Sequence, residues 1–368
     1  MSTSRIITAA VEAATAALQL DYLTFDHLTS KPPSWWQAVL GVVGFEKPPL
    51  IPGARVPVAA SMTPPLGASD DLCEVWRVAG PAVQLSNGAA THGRVRYRFS
   101  EELMFGSLTI DERAPENLSG EGGRTHAGGD SGALLRATEM AYQEIFAVLK
   151  ETQHRHLLRI WNYLPEINRE ADGDERYRHF NSARQLAFRN SGRATVGTVP
   201  AASALGSPAG SPICIYFLAA RRPPLMIENP RQTSAYYYPP KFGRHSPIFS
   251  RACVLSESVG TNLFVSGTSS IVGHETLHQG NVAAQTAETM ANINALLDEC
   301  NRMVGSQRYA LASLKFKVYV RQPADLESIQ STLEGFLPPS TSVVYLQADV
   351  CREDLLVEIE ATGESADH

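Results

Sequence analysis

The sequence predicts an α+β protein of two modules with the same element order, β-β-α-β-α-β, behind an irregular, proline-rich N-terminal arm. Three observations carry this expectation. Short apolar runs with strand character alternate with longer stretches in which apolar residues recur at helical spacing. The order of these stretches is traversed twice, offset by roughly 150 residues. Leu103-Met104-Phe105-Gly106-Ser107 in the first half stands where Leu263-Phe264-Val265-Ser266-Gly267 stands in the second.

The arm is assigned to residues 1–74. Pro32-Pro33, Pro48-Pro49, Pro52 and Pro64-Pro65 break any long element there. Trp35-Trp36 is expected to anchor the arm onto the body by packing. The first module is assigned to residues 75–220. Val95 to Phe99 and Leu103 to Ile110 read as paired strands, followed by a glycine-rich loop, Gly120 to Gly132. Ala133 to Lys150 reads as a helix, with Leu134, Leu135, Thr138, Ala141, Ile145, Val148 and Leu149 on its apolar face. A strand (Leu157 to Leu164), a helix (Glu175 to Arg189) and a strand (Ile213 to Ala219) complete the module. The second module, 221–368, opens with a connector rich in proline and tyrosine, Arg221 to Ser250. Strands Arg251 to Ser256 and Asn262 to Ile271 follow, then a helix, Val282 to Met303, with Met290, Ile293, Leu296 and Leu297 on one side. Next come a strand (Leu311 to Val320) and a helix (Asp325 to Phe336) with Asp325 as its cap. Strands Val343 to Val350 and Leu355 to Ile359 close the module.

A chain of 368 residues that is 43% hydrophobic can bury a large core. A net charge of −6, with Lys and Arg scattered rather than blocked, argues against a nucleic-acid-binding body. The five cysteines form no Cys-x-x-Cys pair and mostly adjoin apolar runs, so buried reduced thiols are expected. Ala9 to Leu20 is interrupted by Glu12 and is too short to span a bilayer. The expectation is a soluble cytoplasmic protein with no membrane partner.

The chemistry is sought at the end of the chain. Glu358 stands between Val357 and Ile359 on a predicted strand, with Cys351 at the lip of the strand before it. Burial there would keep the carboxyl protonated and able to donate at neutral pH; the alternative is an outward-facing residue on an edge strand. His274-Glu275-Thr276-Leu277-His278 matches a zinc motif that requires a helix. Gly273 and Gly280 bracket it, so it reads as a loop and no metal is assigned. The loop from Gly120 lacks the Gly-Lys-Ser/Thr of a phosphate cradle. Ser266-Gly267-Thr268-Ser269-Ser270 leaves a strand and reads either as an anion-binding turn or as an ordinary one. Arg231, Arg244, Arg251 and Arg321 each border an apolar or aromatic run, Arg178 and Arg184 lie one and a half turns apart on a predicted helix, and Tyr236-Tyr237-Tyr238 stands beside the set. As a set they suit a dianionic ligand.

Phe264-Val265-Ser266-Gly267, Gln285-Thr286, Asn292-Ile293 and Val357-Glu358-Ile359-Glu360 make the second module resemble the RidA (YjgF/YER057c/UK114) superfamily. A longer series resembles the chorismatase family over roughly residues 75–361. It runs through Arg159-Ile160-Trp161-Asn162-Tyr163-Leu164-Pro165, Glu175-Arg176-Tyr177-Arg178, Phe180-Asn181, Glu228-Asn229-Pro230-Arg231-Gln232, Ser234-Ala235-Tyr236 and Phe249-Ser250-Arg251-Ala252. It continues through Ser266-Gly267-Thr268, Ser270-Ile271-Val272-Gly273-His274-Glu275 and Cys351-Arg352. The sequence departs from the family pattern at Ser269, where Ala or Gly is usual, and around Gly243-Arg244-His245-Ser246.

The resemblance implies a two-module RidA-like fold and an enzyme that releases pyruvate from chorismate without cofactor or metal. Glu358 matches the acid that protonates the enol-ether methylene. Cys351, seven residues earlier, matches the subgroup that makes 3-hydroxybenzoate through an epoxide; the other subgroup hydrolyses chorismate to a dihydroxycyclohexadiene carboxylate. Arg178, Arg184, Arg231, Arg251 and Arg321, with Tyr236, Gly267 and Ser269, are the expected substrate-binding set. Release of 4-hydroxybenzoate and a non-catalytic metabolite-binding role remain as alternatives. RidA modules usually form trimers with sites between subunits, so monomer and trimer both stay open.

Overall fold

The computed structural model describes residues 17–51, 55–79, 84–89, 93–114, 129–255, 261–306 and 309–364. Most of the glycine-rich loop and the start of the Ala9 to Leu20 stretch lie outside the described residues. The N-terminal segment is more regular than its prolines suggest. Strands β1 (Ala17–Thr24), β2 (Val39–Gly44), β3 (Val58–Ala60) and β4 (Leu72–Ala79) form one sheet in the order β1-β4-β2-β3. The irregular arm is corrected accordingly: the prolines fall in the connections, and branched runs such as Val39–Gly44 form strands between them. Trp35 and Trp36 pack with Leu28, Val39, Val42 and Val75 inside this sheet's own small core rather than onto the body.

The first module continues with β5 (Ser86–Ala89), β6 (Arg96–Phe99), β7 (Leu103–Ile110), helix α1 (Asp130–Glu151) and β8 (His156–Pro165). A hairpin of β9 (Glu170–Ala171) and β10 (Asp174–Glu175) leads to helix α2 (Arg176–Asn190), then β11 (Ala201–Ser207) and β12 (Ile213–Ala220). The second module holds β13 (Leu225–Ile227), β14 (Ala252–Leu255), β15 (Asn262–Thr268), a hairpin of β16 (Ile271–Val272) and β17 (Glu275–Thr276), and helix α3 (Val282–Val304). It ends with β18 (Leu314–Val320), helix α4 (Leu326–Glu334), β19 (Val343–Gln347), β20 (Asp349–Val350) and β21 (Val357–Glu364).

The internal repeat is exact in topology. The first sheet contains β6-β7-β12-β8-β11 and the second β14-β15-β21-β18-β19, with β8/β11 and β18/β19 as the parallel pairs. Strand β11 is absent from the sequence reading because Ala201-Ala202-Ser203-Ala204 offers neither bulk nor apolar alternation; pairing with β8 recruits it. The HExxH run begins in the turn of the β16–β17 hairpin and supplies β17, a non-helical setting as expected from the flanking glycines. No described helix is long and apolar enough to cross a membrane.

Each sheet carries its helices on one face, and the two bare faces meet. Alternation along β21 sends Val357, Ile359 and Ala361 into the core under α3, and Glu358 and Glu360 toward the first module. Along β18, Lys317 and Tyr319 face the same way. The inter-sheet core therefore mixes Trp76, Trp161, Tyr216, Phe264 and Tyr319 with a buried ionic cluster. Lys317 Nζ lies 2.5 Å from Glu74 of β4 and 2.8 Å from Glu360. Arg159 of β8 lies 2.6 Å from Glu360, and the Trp161 and Trp76 indoles donate to Glu360 and Glu74. Two cations and two carboxylates thus balance at the junction of all three sheets.

Removing one member of such a cluster strands its partners in low dielectric. Lys317→Met should destabilise the fold by about 3–5 kcal/mol, read as a fall in the denaturant midpoint. Adding Glu74→Gln should recover part of that loss; no recovery would mean that packing, not charge balance, sets the cost.

Candidate active site

A cavity of about 580 Å³ opens between the modules, within the range of roughly 300–1,000 Å³ typical of ligand sites. Helix α2 supplies Tyr177 and Arg178, the 238–251 segment Tyr238, Phe242, Phe249 and Arg251, and β15 and the turn after it Gly267 and Ser269. The turn after β20 brings Cys351 and Arg352, and β21 brings Glu358. A smaller recess of about 30 Å³, bounded by Asn181, Arg184, Ala202, Ser203 and Ala204, shares Tyr177, Phe249, Gly267, Cys351 and Glu358 with it.

Glu358 is 4% exposed and lies on a central strand, between β15 and β18, so the edge-strand alternative falls away. Among the described residues, none forms a hydrogen bond with its carboxyl, and no hydrogen bond enters its pKa shift. The pairing of β15 with β21 slips between Val265 and Thr268, a bulge that re-aims the backbone at Gly267. A methyl group on Gly267 would lie 1.9 Å from Glu358 Oε1, so any larger residue there would push the acid from its present seat. Burial raises the Glu358 pKa to about 8, Glu360 adds to the rise, and Arg159, Arg321 and Arg251 oppose it. Burial also pushes the Cys351 thiol up to about 12, helped by Glu358, so it is a neutral, polarizable wall and not a thiolate.

The cations around the cavity differ in their partners. Arg184 is 3% exposed, stacks on Tyr142 and Phe188, and buries Nε and Nη2 without a hydrogen-bond partner. Arg251 donates to Thr233 O at 2.7 Å and to the Tyr238 hydroxyl at 2.8 Å. It lies over Phe249, and its Nε is unpartnered. Arg352 lies 4.0 Å from the Phe242 ring centre, bonds His274 O and Thr276, and leaves Nη2 unpartnered. None of the three is paired with a carboxylate among the described residues. Arg178, at the mouth, is shared with Asp174 and Glu175. Aromatic rings, three guanidinium groups not paired with a carboxylate and the buried Glu358 carboxyl thus converge on the cavity and its recess, with Asp174, Glu175, Glu353 and Asp354 also on its lining.

Residues 74–219 match the family described as chorismatase FkbO/Hyg5-like, N-terminal. A 3-hydroxybenzoate synthase of Streptomyces hygroscopicus is 39% identical over 239 residues, covering 62% of this chain and 70% of that protein. A chorismatase of Streptomyces rapamycinicus is 35% identical over 298 residues, 79% of this chain and 82% of that one. A chorismatase crystal structure superposes with a TM-score of 0.76 at 30% identity, covering 95% of this chain and 99% of the other. The chain belongs to the chorismatase family.

Within this chorismatase-family fold, the residues expected from sequence divide in two. Glu358, Cys351, Arg178, Arg184, Arg251, Gly267 and Ser269 line the cavity or its recess. Ser269 spends its hydroxyl on Val357 O at 3.0 Å, so it shapes the wall instead of offering a donor. Three residues lie elsewhere. Arg231 pairs with Glu288 and Asn292 behind the site. Arg321 holds Asp349 and the carbonyls of Val350, Arg352 and Leu355, which braces the Cys351 turn from below. Tyr236 turns toward Glu228, and Tyr238, two residues on, meets Arg251 instead. The sequence reading missed Arg352 as a cation of the site, although it adjoins Cys351. It also missed the Tyr177, Phe242 and Phe249 rings, whose place follows only from the fold. The two HExxH histidines face different carboxylates, Glu275 at 3.1 Å and Glu288 at 3.2 Å, and share no ligand geometry.

The raised pKa of Glu358 has a consequence for stability. Between its ordinary value near 4.5 and about 8 the native state keeps a proton that the unfolded chain releases. Stability from the neutral form is complete below the lower value and is lost as pH rises through the upper one. Glu358→Gln should therefore be close to neutral at pH 5 and stabilising at pH 8.5, by on the order of 2–4 kcal/mol in denaturant titrations. An equal effect at both pH values would mean that Glu358 is not held protonated.

Proposed function

We propose that the protein converts chorismate to 3-hydroxybenzoate and pyruvate, with Glu358 as general acid. The observation that carries this reading is a buried carboxyl held neutral at the inner wall of a cavity beside Arg184, Arg251 and Arg352, none of them paired with a carboxylate among the described residues. Chorismate at neutral pH is a flat dianion, and protonating its enol-ether carbon requires an acid that is still neutral there. Arg184, Arg251 and Arg352 are the proposed carboxylate clamps, with Arg178 at the entrance. Phe249, Tyr177 and Phe242 supply faces for the ring.

Glu358 transfers its proton to the methylene carbon, which becomes the methyl of pyruvate, and the ether oxygen becomes part of an oxocarbenium ion. The substrate's 4-hydroxyl oxygen then attacks C3. The C3–O bond breaks, pyruvate leaves, and the hydroxyl proton passes to the Glu358 carboxylate, restoring the neutral acid. The resulting epoxide opens at C4, the ring loses its C3 hydrogen, and the oxygen remains on C3 as the phenol. No water is consumed, so the site gains from excluding it. The neutral Cys351 thiol, packed with Ile271, Val350 and Leu355 beside the acid, suits that task. The relative named 3-hydroxybenzoate synthase supports this product over the hydrolysed diene.

Incubation with chorismate, with pyruvate and aromatic products quantified together, tests the reading. No pyruvate above the spontaneous rate would leave a metabolite-binding protein. Glu358→Gln should lower kcat for pyruvate release by about 10²–10⁴-fold with KM little changed. Wild-type kcat should fall as pH rises through about 8, because the acid works only while protonated. Cys351→Ala should keep pyruvate release and shift product toward the dihydroxydiene; an unchanged ratio would remove the thiol from product control. Arg184→Ala, Arg251→Ala and Arg352→Ala should each cost on the order of 2–5 kcal/mol in kcat/KM.

A further inference from the structure

The ionic cluster between the sheets does more than join modules. Glu360 and Glu358 stand two residues apart on β21 and so share one face of the strand. Glu360 is fixed from four sides: Arg159 and Lys317 pair with it, and Trp161 Nε1 and Ser203 Oγ donate to it at 2.7 and 2.8 Å. Ser203 Oγ also accepts from Gly267 N at 3.1 Å. A methyl group on Gly267 would touch both Ser203 Oγ, at 2.9 Å, and Glu358 Oε1. A continuous series therefore runs from Glu74 of the N-terminal sheet through Lys317, Glu360 and Ser203 to the Gly267 backbone, against which the Glu358 carboxyl sits.

We propose that Glu360 is a positioning residue for the acid: clamped as a carboxylate by Arg159 and Lys317, it fixes the seat of Glu358 and sets how firmly Glu358 holds its proton. This rests on the reading of Glu358 as the acid. The charge count gives the reason. Arg159 and Lys317 are matched by Glu74 and Glu360, which leaves no cation in the cluster for a third carboxylate. An ionised Glu358 would face an ionised Glu360 with little water between them. The other groups around Glu358 do not supply the missing charge at contact distance. Tyr177, Arg178 and Arg184 come from α2, Arg251 precedes β14, Tyr238 lies beyond it, Arg321 follows β18, and Cys351 and Arg352 form the 351–354 turn. Of these, Arg321 is committed to Asp349 and the turn carbonyls. Burial would by itself raise the Glu360 pKa, but Lys317 and Arg159 with the hydrogen bonds outweigh it and hold Glu360 below the usual range. Glu74 keeps Lys317 from neutralising Glu360 alone, which gives the N-terminal sheet a part in the chemistry.

The test follows the proton on Glu358 directly, by the infrared C=O stretch of a protonated carboxyl that is present in the wild type and missing in Glu358→Gln. In Glu360→Gln that band should titrate at a pH lower by about one unit or more, a tenfold change in proton concentration. The alkaline limb of kcat for pyruvate release should move down with it. Glu74→Gln should move both in the same direction by less, and Glu360→Asp should restore most of the wild-type profile. A folded Glu360→Gln whose band and limb stay in place would overturn the proposal. If that variant does not fold, Glu74→Gln and Ser203→Ala carry the test, and an unmoved band in both overturns it. Full pyruvate release by Glu358→Gln would instead sink the functional reading, while the band would still judge the coupling between the two carboxyls.

Discussion

Burying a carboxyl without a counter-ion is the constraint on which this structure turns. An isolated carboxylate costs several kcal/mol to desolvate, so a protein either pairs it, leaves it in water or keeps it protonated. This chain does the first with Glu360 and the third with Glu358, two residues apart on one strand. The difference comes from the face opposite. Arg159, Trp161, Lys317 and Ser203 converge on Glu360, whereas Glu358 meets the Gly267 backbone, the Cys351 thiol and the cavity. Strand alternation places both acids, and the partners decide which one stays charged.

The duplicated topology explains why the cavity lies where it does. Two sheets that bear helices on one face each must bury the other face, and here they bury it against one another. Helix α2 and the turn after β20 meet at one end of that interface, and β20 is stitched across to β11 of the first module. The Cys351 turn thus belongs to both modules at once, with Arg321 and Gln285 holding its carbonyls. The third sheet closes the far side of the interface through Trp76 and Glu74.

Much of this was legible in the sequence, and what was not has definite physical reasons. Doubling of the element order, the helical periodicity of 133–150 and 282–303 and the apolar flanks of Glu358 are local signals, and each led to the right element. Strand β11 was invisible because Ala and Ser carry no strand signature, and the N-terminal sheet because prolines in connections masked the strands between them. Among the arginines, neither helical spacing nor a place beside an aromatic run could separate Arg184, which stacks on two rings without an anion, from Arg231, which Glu288 neutralises. Only the fold brings Glu288 there. The same limit hid Glu360: nothing local distinguishes its role from that of Glu358, because the distinction is made by β8, β11 and β18.

The central claim, that the substrate's own hydroxyl displaces pyruvate in a site that shuts out water, is most directly tested by one isotope measurement. Chorismate carrying heavy oxygen in its 4-hydroxyl would be turned over by the wild-type protein and the aromatic product weighed. Displacement through the epoxide predicts 3-hydroxybenzoate that keeps the label, formed in step with pyruvate. Unlabelled 3-hydroxybenzoate, which hydrolysis followed by loss of the 4-hydroxyl would give, or accumulation of the labelled dihydroxydiene, would contradict it.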